Sequence, residues 1–593
     1  MNLFDALCRS GALRPRHEAL ARSLQRLDRE DGIDSDPLLL AGAALASLAV
    51  ARGHAALDPA QPLLLFDADP GLVWPGAGAW RDALAASRWV DCSGRTVGEA
   101  GSSRPLALEH GLLYLRRYRD HERRLAADLL RLAAGDDADP VDAGAPAALF
   151  AALFPQAGDD LQAQAARLAL RRRLVLVTGG PGTGKTTTIA RILVLLLAQA
   201  HAAGAPPRRI ALAAPTGRAA ERMAESLRRG AAAMRAMPQI DPGLLDALPD
   251  AALTLHRLLG TRPDSPGFRH DRAHPLPYDV VVVDEASMVD LPLMARLLQA
   301  IPDGARLLLL GDPDQLPSVE AGDVLAAVAA AGEDAEAGAA APLAGRRVHL
   351  RRGHRQSGRL QLAPLADAVR AGDADAALAL LRGGTLDGVH FHERMDDPLD
   401  TPARDALLDH WRALRDRSDP GEALQQAARL RLLTALRAGP RGAATLNARI
   451  ETALAGARRE PWFQGRLLLV TENDYRQRLF NGDIGICLRD GRGAPVAWFA
   501  AGDGVRGFHP ASLPAHEGAF ATTVHKAQGS EFDRVWLLLP RHDARPLTRE
   551  LVYTAITRAR SALHVCADPE LLRAALARRV RRVSALRARL QAV

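Results

Sequence analysis

The chain has 593 residues, 76 Lys plus Arg against 69 Asp plus Glu, a net charge of +7, and aromatic residues at only 4%. That length holds several domains with ample core, the positive balance suits a polyanionic partner, and the scarcity of aromatics argues against a base-stacking RNA-recognition sheet. Four cysteines, Cys8, Cys92, Cys487 and Cys566, lie far apart with no C-x-x-C pair, so neither a disulfide framework nor a cysteine zinc site is indicated.

The N-terminus, MNLFDALCRS, lacks the pattern of a secretory signal, and the run Leu38 to Ala51 is shorter than the roughly 20 residues of a spanning helix. A cytoplasmic protein without membrane contact is expected. Residues 1–110 read as a mainly helical domain carrying no recognisable chemistry, either structural or a docking surface for a partner. Leu106 to Tyr118 reads as a hairpin leading into an arginine-rich helix, and GDDADPVDAGAPAA (135–148) as a punctuated linker; the interval 111–149 is taken as the boundary.

From about 150 onward strand and helix alternate, the signature of parallel sheets covered on both faces. LVLVTGGPGTGKTTT (174–188) passes from an apolar strand through glycines to a helix, which is G-x-x-x-x-G-K-T in its required context. Glycines let backbone N–H groups converge and the helix N-terminus adds partial positive charge, so a triphosphate fits. Gly179, Gly180, Pro181, Gly182, Thr183, Gly184, Lys185, Thr186 and Thr187 form this cradle, with Lys185 reaching the β/γ-phosphates of ATP and Thr186 holding Mg²⁺. Of the basic residues only Lys185 and Lys526 are lysine, which suits sites needing a slim point charge rather than a guanidinium fork.

Arg209 to Ala214 and DVVVVDEAS (279–287) are the next strands, the second apolar enough to be fully buried. Asp284 and Glu285 fall at its C-terminal tip, the ligand edge of such sheets. There Asp284 can share the Mg²⁺ and Glu285 can orient and deprotonate the attacking water. Arg306 to Leu310 ends in GDPDQLPSVEAG, which puts the neutral amide of Gln315 beside the phosphates. Residues 326–345 are Ala/Gly-rich, and 346–360 are dense in arginine. Short strands with NGD and DGRG turns between 460 and 515 suggest a small β-barrel inserted in a second α/β domain. The last 24 residues read as a solvated amphipathic helix.

In order, GGPGTGKTTT, APTGRAA, TLHRLLG, VVVDEAS, GDPDQLPSVEAG, LRRGHRQ, TTVHKAQGSEF and LVYTAITRAR resemble the motif set of superfamily 1 helicases. More narrowly they resemble superfamily 1B and the RecD family, alpha subunits of bacterial exodeoxyribonuclease V (RecBCD). The resemblance is specific over roughly 150–566; RGHAALD (52–58) and LYLRRY (113–118) extend it more loosely. It implies an α/β fold of two RecA-like parallel-sheet domains. Domain 1A would occupy 150–345 with a small 1B insertion, and domain 2A 346–593 with an SH3-like 2B insertion at about 455–515.

The resemblance further implies ATP-dependent 5′–3′ movement on single-stranded DNA, duplex-end unwinding and double-strand break repair in a heterotrimer with RecB-like and RecC-like subunits. It assigns Gln162 to the adenine, Glu531 to the ribose, and Arg355 and Arg558 to the γ-phosphate from the second domain. Thr216, His256, Thr523 and His525 would line the DNA channel, with Lys526 beside them. A nuclease site of the E-x-K kind is absent, since residues 183 and 524, two before each lysine, are Thr and Val. Cleavage is therefore expected of a partner.

Overall fold

Val280–Val283 is β-branched throughout and wholly buried, so it can sit only where both faces of a sheet are covered. In the computed structural model it lies inside a six-stranded parallel sheet of order Leu253–Thr254, Ile210–Ala214, Val280–Val283, Arg306–Gly311, Leu174–Gly179 and Arg347–Leu350. Residues 2–591 are described, except 68, 94–103, 136–144, 156–159, 263–264, 266, 334–341, 352–359, 394, 396, 401–402, 457–459, 475 and 502–503. One face packs against Lys185–Ala202 through Ile189, Ile192, Leu193 and Leu196. The other packs against Leu291–Ala300 through Met294, Leu297 and Leu298. Arg347–Leu350 hydrogen-bonds beside Leu174–Gly179, so the expected boundary at 345 cuts one strand off the first lobe.

The second lobe is a five-stranded parallel sheet, in the order Val389–His392, Ala559–Cys566, Phe532–Leu538, Leu430–Thr434 and Ala521–Thr523. Between its strands Leu430–Thr434 and Ala521–Thr523 the chain leaves to form a five-stranded antiparallel sheet from Arg466–Val470 to His516–Gly518. The turn-punctuated stretch, expected to be a small barrel, is thus an inserted antiparallel sheet whose edge strands are Gly504–Phe508 and His516–Gly518.

The N-terminal region packs four helices, Leu3–Arg9, Pro15–Glu30, Pro37–Ala51 and Ala77–Ala86, around one core. Pro37–Ala51 is apolar on every side and is therefore the central helix. Trp80 is fully buried and its indole donates to the Leu38 carbonyl at 3.0 Å, which removes the cost of hiding that N–H. The hairpin Leu106–Glu109/Leu112–Leu115 turns on His110 and Gly111, at φ +52° and +72°, as a two-residue hairpin turn requires.

Two expectations fail here. The interval 111–149 is no linker up to Ala134: Arg116–Ala134 is a helix whose Leu125, Leu129 and Leu132 complete the core of the first lobe, and Arg272 ion-pairs to its buried Asp128. Its amphipathic spacing made it a docking element. Nor is the C-terminal stretch a solvated helix. Pro569–Ala577 packs in the second lobe, and the chain then runs back as a strap ending in the short helix Leu586–Gln591, whose Leu586 and Leu590 enter the core of the first lobe.

Glu122, wholly buried, anchors that strap. Its carboxylate accepts from Ser584 Oγ at 2.6 Å, Ala585 N at 3.2 Å, Arg589 Nε at 3.0 Å and Tyr114 Oη at 3.0 Å. Replacing it with alanine leaves Arg589 with Glu109 as its remaining carboxylate partner among the described residues and unpairs Ser584 Oγ, Ala585 N and Tyr114 Oη, a loss of about 3 kcal/mol. Glu122→Ala should therefore speed hydrogen exchange across 584–590 by about two orders of magnitude while the strand amides of Val280–Val283 stay protected.

Candidate active site

The loop after Leu174–Gly179 curls because Gly182 and Gly184 take φ +80° and +83°, and Gly184 in that left-handed state opens the helix Lys185–Ala202. A Cβ on Gly179 would lie 2.6 Å from the Leu350 carbonyl, so only glycine lets the loop pass the neighbouring strand. Thr183 Oγ1 donates to the Gly180 carbonyl at 2.8 Å and so fixes the turn. Gln162 is buried behind it, its amide donating to the Thr183 carbonyl at 3.4 Å and accepting from Arg191 at 3.5 Å. Thr186 faces the cleft; the Thr187 side chain is exposed outside its lining.

Lys185 Nζ bends back onto the Gly179 and Gly180 carbonyls, at 2.6 and 3.0 Å. Among the described residues it has no carboxylate partner within bonding distance. Asp284 and Glu285 stand across from it at the tip of Val280–Val283. Burial, and then the charge of Glu285, push the Asp284 carboxyl up to about 6, with Lys185 pulling the other way. Such an acid pair is suited to a divalent cation. Glu285 is held at φ +52°, a left-handed state costing a side-chain-bearing residue on the order of 1 kcal/mol, which the buried strand before it imposes.

Gln315 is buried at the same cleft, its Nε2 donating to Asp312 at 3.1 Å while its Oε1 has no partner. An orphaned buried acceptor costs about 1–3 kcal/mol, and a water or phosphate-bound hydroxyl group relieves it.

The opposite wall comes from the second lobe. Arg558 is 2% exposed, and its guanidinium donates to the Thr554 and Ser530 carbonyls at 3.0 and 3.2 Å and to Thr557 Oγ1 at 3.5 Å. All three acceptors are neutral. Lys185, Thr186, Asp284, Glu285, Gln315, Glu531 and Arg558 thus meet on one cleft of about 810 Å³. Arg355 lies outside the described residues.

Glu531 does more than line the wall. It bridges Arg222 of the first lobe at 2.8 Å and Arg560 of the second at 2.9 Å. Arg222 also reaches the Gly529 carbonyl, and Arg218, one helical turn before it, the Ser530 hydroxyl at 2.9 Å. Below the cleft Tyr553 Oη donates to Asp312 at 3.0 Å, Leu316 N to Thr554 Oγ1 at 2.8 Å, and Gln528 Nε2 to the Leu316 carbonyl at 2.7 Å. Sequence reasoning missed Arg222, Tyr553, Thr554 and Gln528, though the last three lie in the quoted motifs; for Arg222 the i, i+4 spacing from Arg218 was the available signal.

The expected channel residues follow the C-terminal ends of other strands. Thr216 caps the helix Gly217–Arg235 by accepting from Ala219 N at 3.2 Å, next to Gly529 of the other lobe. His256 is exposed and edge-on to Phe268 at 5.8 Å. Thr523 ends Ala521–Thr523 and accepts from Lys526 N at 3.4 Å, Lys526 Nζ pairs with Glu517 at 2.6 Å, and burial and then Arg582 lower the pKa of His525.

Fold and site together define a P-loop helicase of two parallel-sheet lobes. Family models agree in chain order: the N-terminal domain of RecBCD enzyme subunit RecD matches 9–114, an AAA domain 162–321, and a UvrD-like helicase C-terminal domain 518–566. The RecBCD enzyme subunit RecD of Mycolicibacterium smegmatis is 42% identical, covering 88% of each chain; that of Mycobacterium tuberculosis is 41% identical over 94% of this chain and 92% of the relative. The ATP-dependent RecD2 DNA helicase of Deinococcus radiodurans is 34% identical over 65% of this chain and 46% of its own length. The chain belongs to the RecD family.

Because Leu316 N is buried against Thr554 Oγ1, Thr554→Val leaves an amide unpaired, at about 1–2 kcal/mol. Amide exchange at Leu316 should rise about tenfold in that variant, with Val281 unchanged.

Proposed function

We propose that this chain is an ATP-dependent single-stranded DNA translocase and DNA helicase moving 5′ to 3′. It would be the motor subunit of a RecBCD-type helicase-nuclease in the cytoplasm, with RecB-like and RecC-like partners, acting in double-strand break repair by recombination. The observation that carries it is the meeting of Lys185 and Arg558, cations of opposite lobes without carboxylate partners among the described residues, on the cleft that holds Asp284, Glu285 and Gln315. No helix of the described residues is long and apolar enough to cross a membrane.

In this reading Lys185 leaves the loop carbonyls for the β/γ-phosphates of ATP, and Thr186 and Asp284 hold Mg²⁺. When bound, the cation neutralises phosphate oxygens and fixes the triphosphate for in-line attack. Glu285 orients the water and takes its proton, and Gln315 Oε1 accepts from that water. Arg558 and Arg355 stabilise the charge that develops on the γ-phosphoryl group, an effect strongest in a closed, dry cleft. Gln162 meets the adenine side of the loop, and Glu531 exchanges an arginine for the ribose. The two lobes serve as domains 1A and 2A, the antiparallel insertion as an SH3-like 2B domain, and the N-terminal region as a docking domain. Thr216, His256, Thr523, His525 and Lys526 contact the strand. DNA cleavage belongs to a partner.

Single-stranded DNA should stimulate ATP turnover, and Lys185→Gln or Arg558→Ala should lower the stimulated rate by at least about a hundredfold, as loss of a phosphate-stabilising cation does. Unwinding assays on 5′- and 3′-tailed duplexes test direction; equal turnover with and without DNA would defeat the motor reading.

A further inference from the structure

Away from the nucleotide cleft a cavity of about 900 Å³ opens where the N-terminal region, both lobes and the C-terminal strap meet. Six arginines line it: Arg52, Arg545, Arg578, Arg579, Arg581 and Arg582. Two carboxylates among the described lining residues face them. Asp543 is taken by Arg578, at 2.5 Å, and Asp67 is shared between Arg52 at 3.3 Å and Arg545 at 3.5 Å. The nearest carboxylate to Arg579 is Glu550 at 3.8 Å, Arg581 donates to the Gln61 amide oxygen at 2.9 Å, and Arg582 donates to the carbonyls of Arg52 and Ser318.

The cavity is built rather than incidental. A Cβ on Gly53 would fall 1.3 Å from the Arg582 guanidinium, so glycine in the sequence Arg52-Gly53-His54 is what admits the strap arginine. The arginines outnumber the carboxylates there: burial, then Arg582, Arg545 and Arg52, push the His54 imidazole down to about 4. Burial lowers Arg545 and Arg582 as well, with a neighbouring arginine adding to it in each case.

Its floor consists of Leu316 and Pro317, just after Gln315, and of His525, which follows the strand Ala521–Thr523. Ser318 accepts from Arg582 NH2 at 3.1 Å, and Gly322 N donates to the Gly53 carbonyl at 2.9 Å. One wall is thus continuous with the segment assigned to the DNA channel, and another is bonded to the loop that carries Gln315.

We propose that this arginine cavity binds the phosphate backbone of the single strand, extending the channel beyond His525 and coupling strand occupancy to the Gln315 loop. The inference rests on the motor reading above and adds a site to it. Guanidinium forks match phosphate oxygens in pairs. An acidic protein segment would satisfy the charge, yet it would leave the continuity with His525 and the Gln315 loop without a use.

The test uses the full-length chain and labelled oligo(dT), with dissociation constants measured between about 50 and 200 mM salt. Arg579 and Arg581 are exposed, so R579Q/R581Q removes charge without opening a core. R26Q, on the exposed Pro15–Glu30 helix, serves as the control. Each lost phosphate contact reduces the slope of log K against log salt by about 0.7 on a single strand. The double variant should bind more weakly, with a slope shallower by about 1.4, while R26Q matches the parent chain. A slope equal to that of the parent overturns the cavity site, and an unchanged slope with weakened co-purification of the partner subunits reassigns it to an acidic protein segment. If the parent chain binds no oligo(dT), the motor reading falls, and the site with it.

Discussion

A cation drawn away from water and held by neutral oxygens is costly unless an anion completes it, and this protein presents two on facing walls, Arg558 buried and Lys185 half-buried. Lys185 rests on carbonyls of its own loop and Arg558 on carbonyls and a hydroxyl of the second lobe. Across from Lys185 stand Asp284 and Glu285, and burial, then the charge of Glu285, push the Asp284 carboxyl up to about 6. The cleft therefore holds unsatisfied charge of both signs, which a polyphosphate with a divalent cation would neutralise at once.

The segment Asp312–Gly322 transmits the consequence. Asp312 accepts from Tyr553, Leu316 bonds through its amide to Thr554 and through its carbonyl to Gln528, Ser318 accepts from the strap, and Gly322 donates to Gly53. Those partners belong to the second lobe, the C-terminal strap and the N-terminal region. The loop that carries Gln315 is thus hydrogen-bonded to all three.

What could be read from the residues was what is local. Glycine spacing dictates the phosphate loop, four valines dictate a buried strand, and the next two residues necessarily occupy its tip, so Lys185, Thr186, Asp284 and Glu285 were legible together. Gln315 was placed correctly, but its orphaned oxygen depends on Asp312, which sequence could not orient. Long-range pairing was opaque: Arg347–Leu350 has no feature that selects the first sheet over the second, and the choice is made by register against Leu176–Gly179. The strap was misread because its arginines suggested solvent, whereas Glu122, more than 450 residues earlier in the chain, converts one of them into a buried anchor. Glu531 was assigned to a ribose from likeness alone; in the structure it clasps an arginine from each lobe.

The strap also limits how the lobes can move. It leaves the second lobe at Arg578, which donates to Asp543 and whose carbonyl accepts from Arg549, and by Ala585–Leu590 it is fixed in the core of the first lobe and on the Arg116–Ala134 helix. Separation on that side would require Leu586 and Leu590 to leave their core, while the contacts at the mouth of the cleft, Arg222 to Glu531 and Arg218 to Ser530, are polar and partly buried. The two lobes are thus tied through a hydrophobic core on the strap side and through polar contacts at the mouth of the cleft.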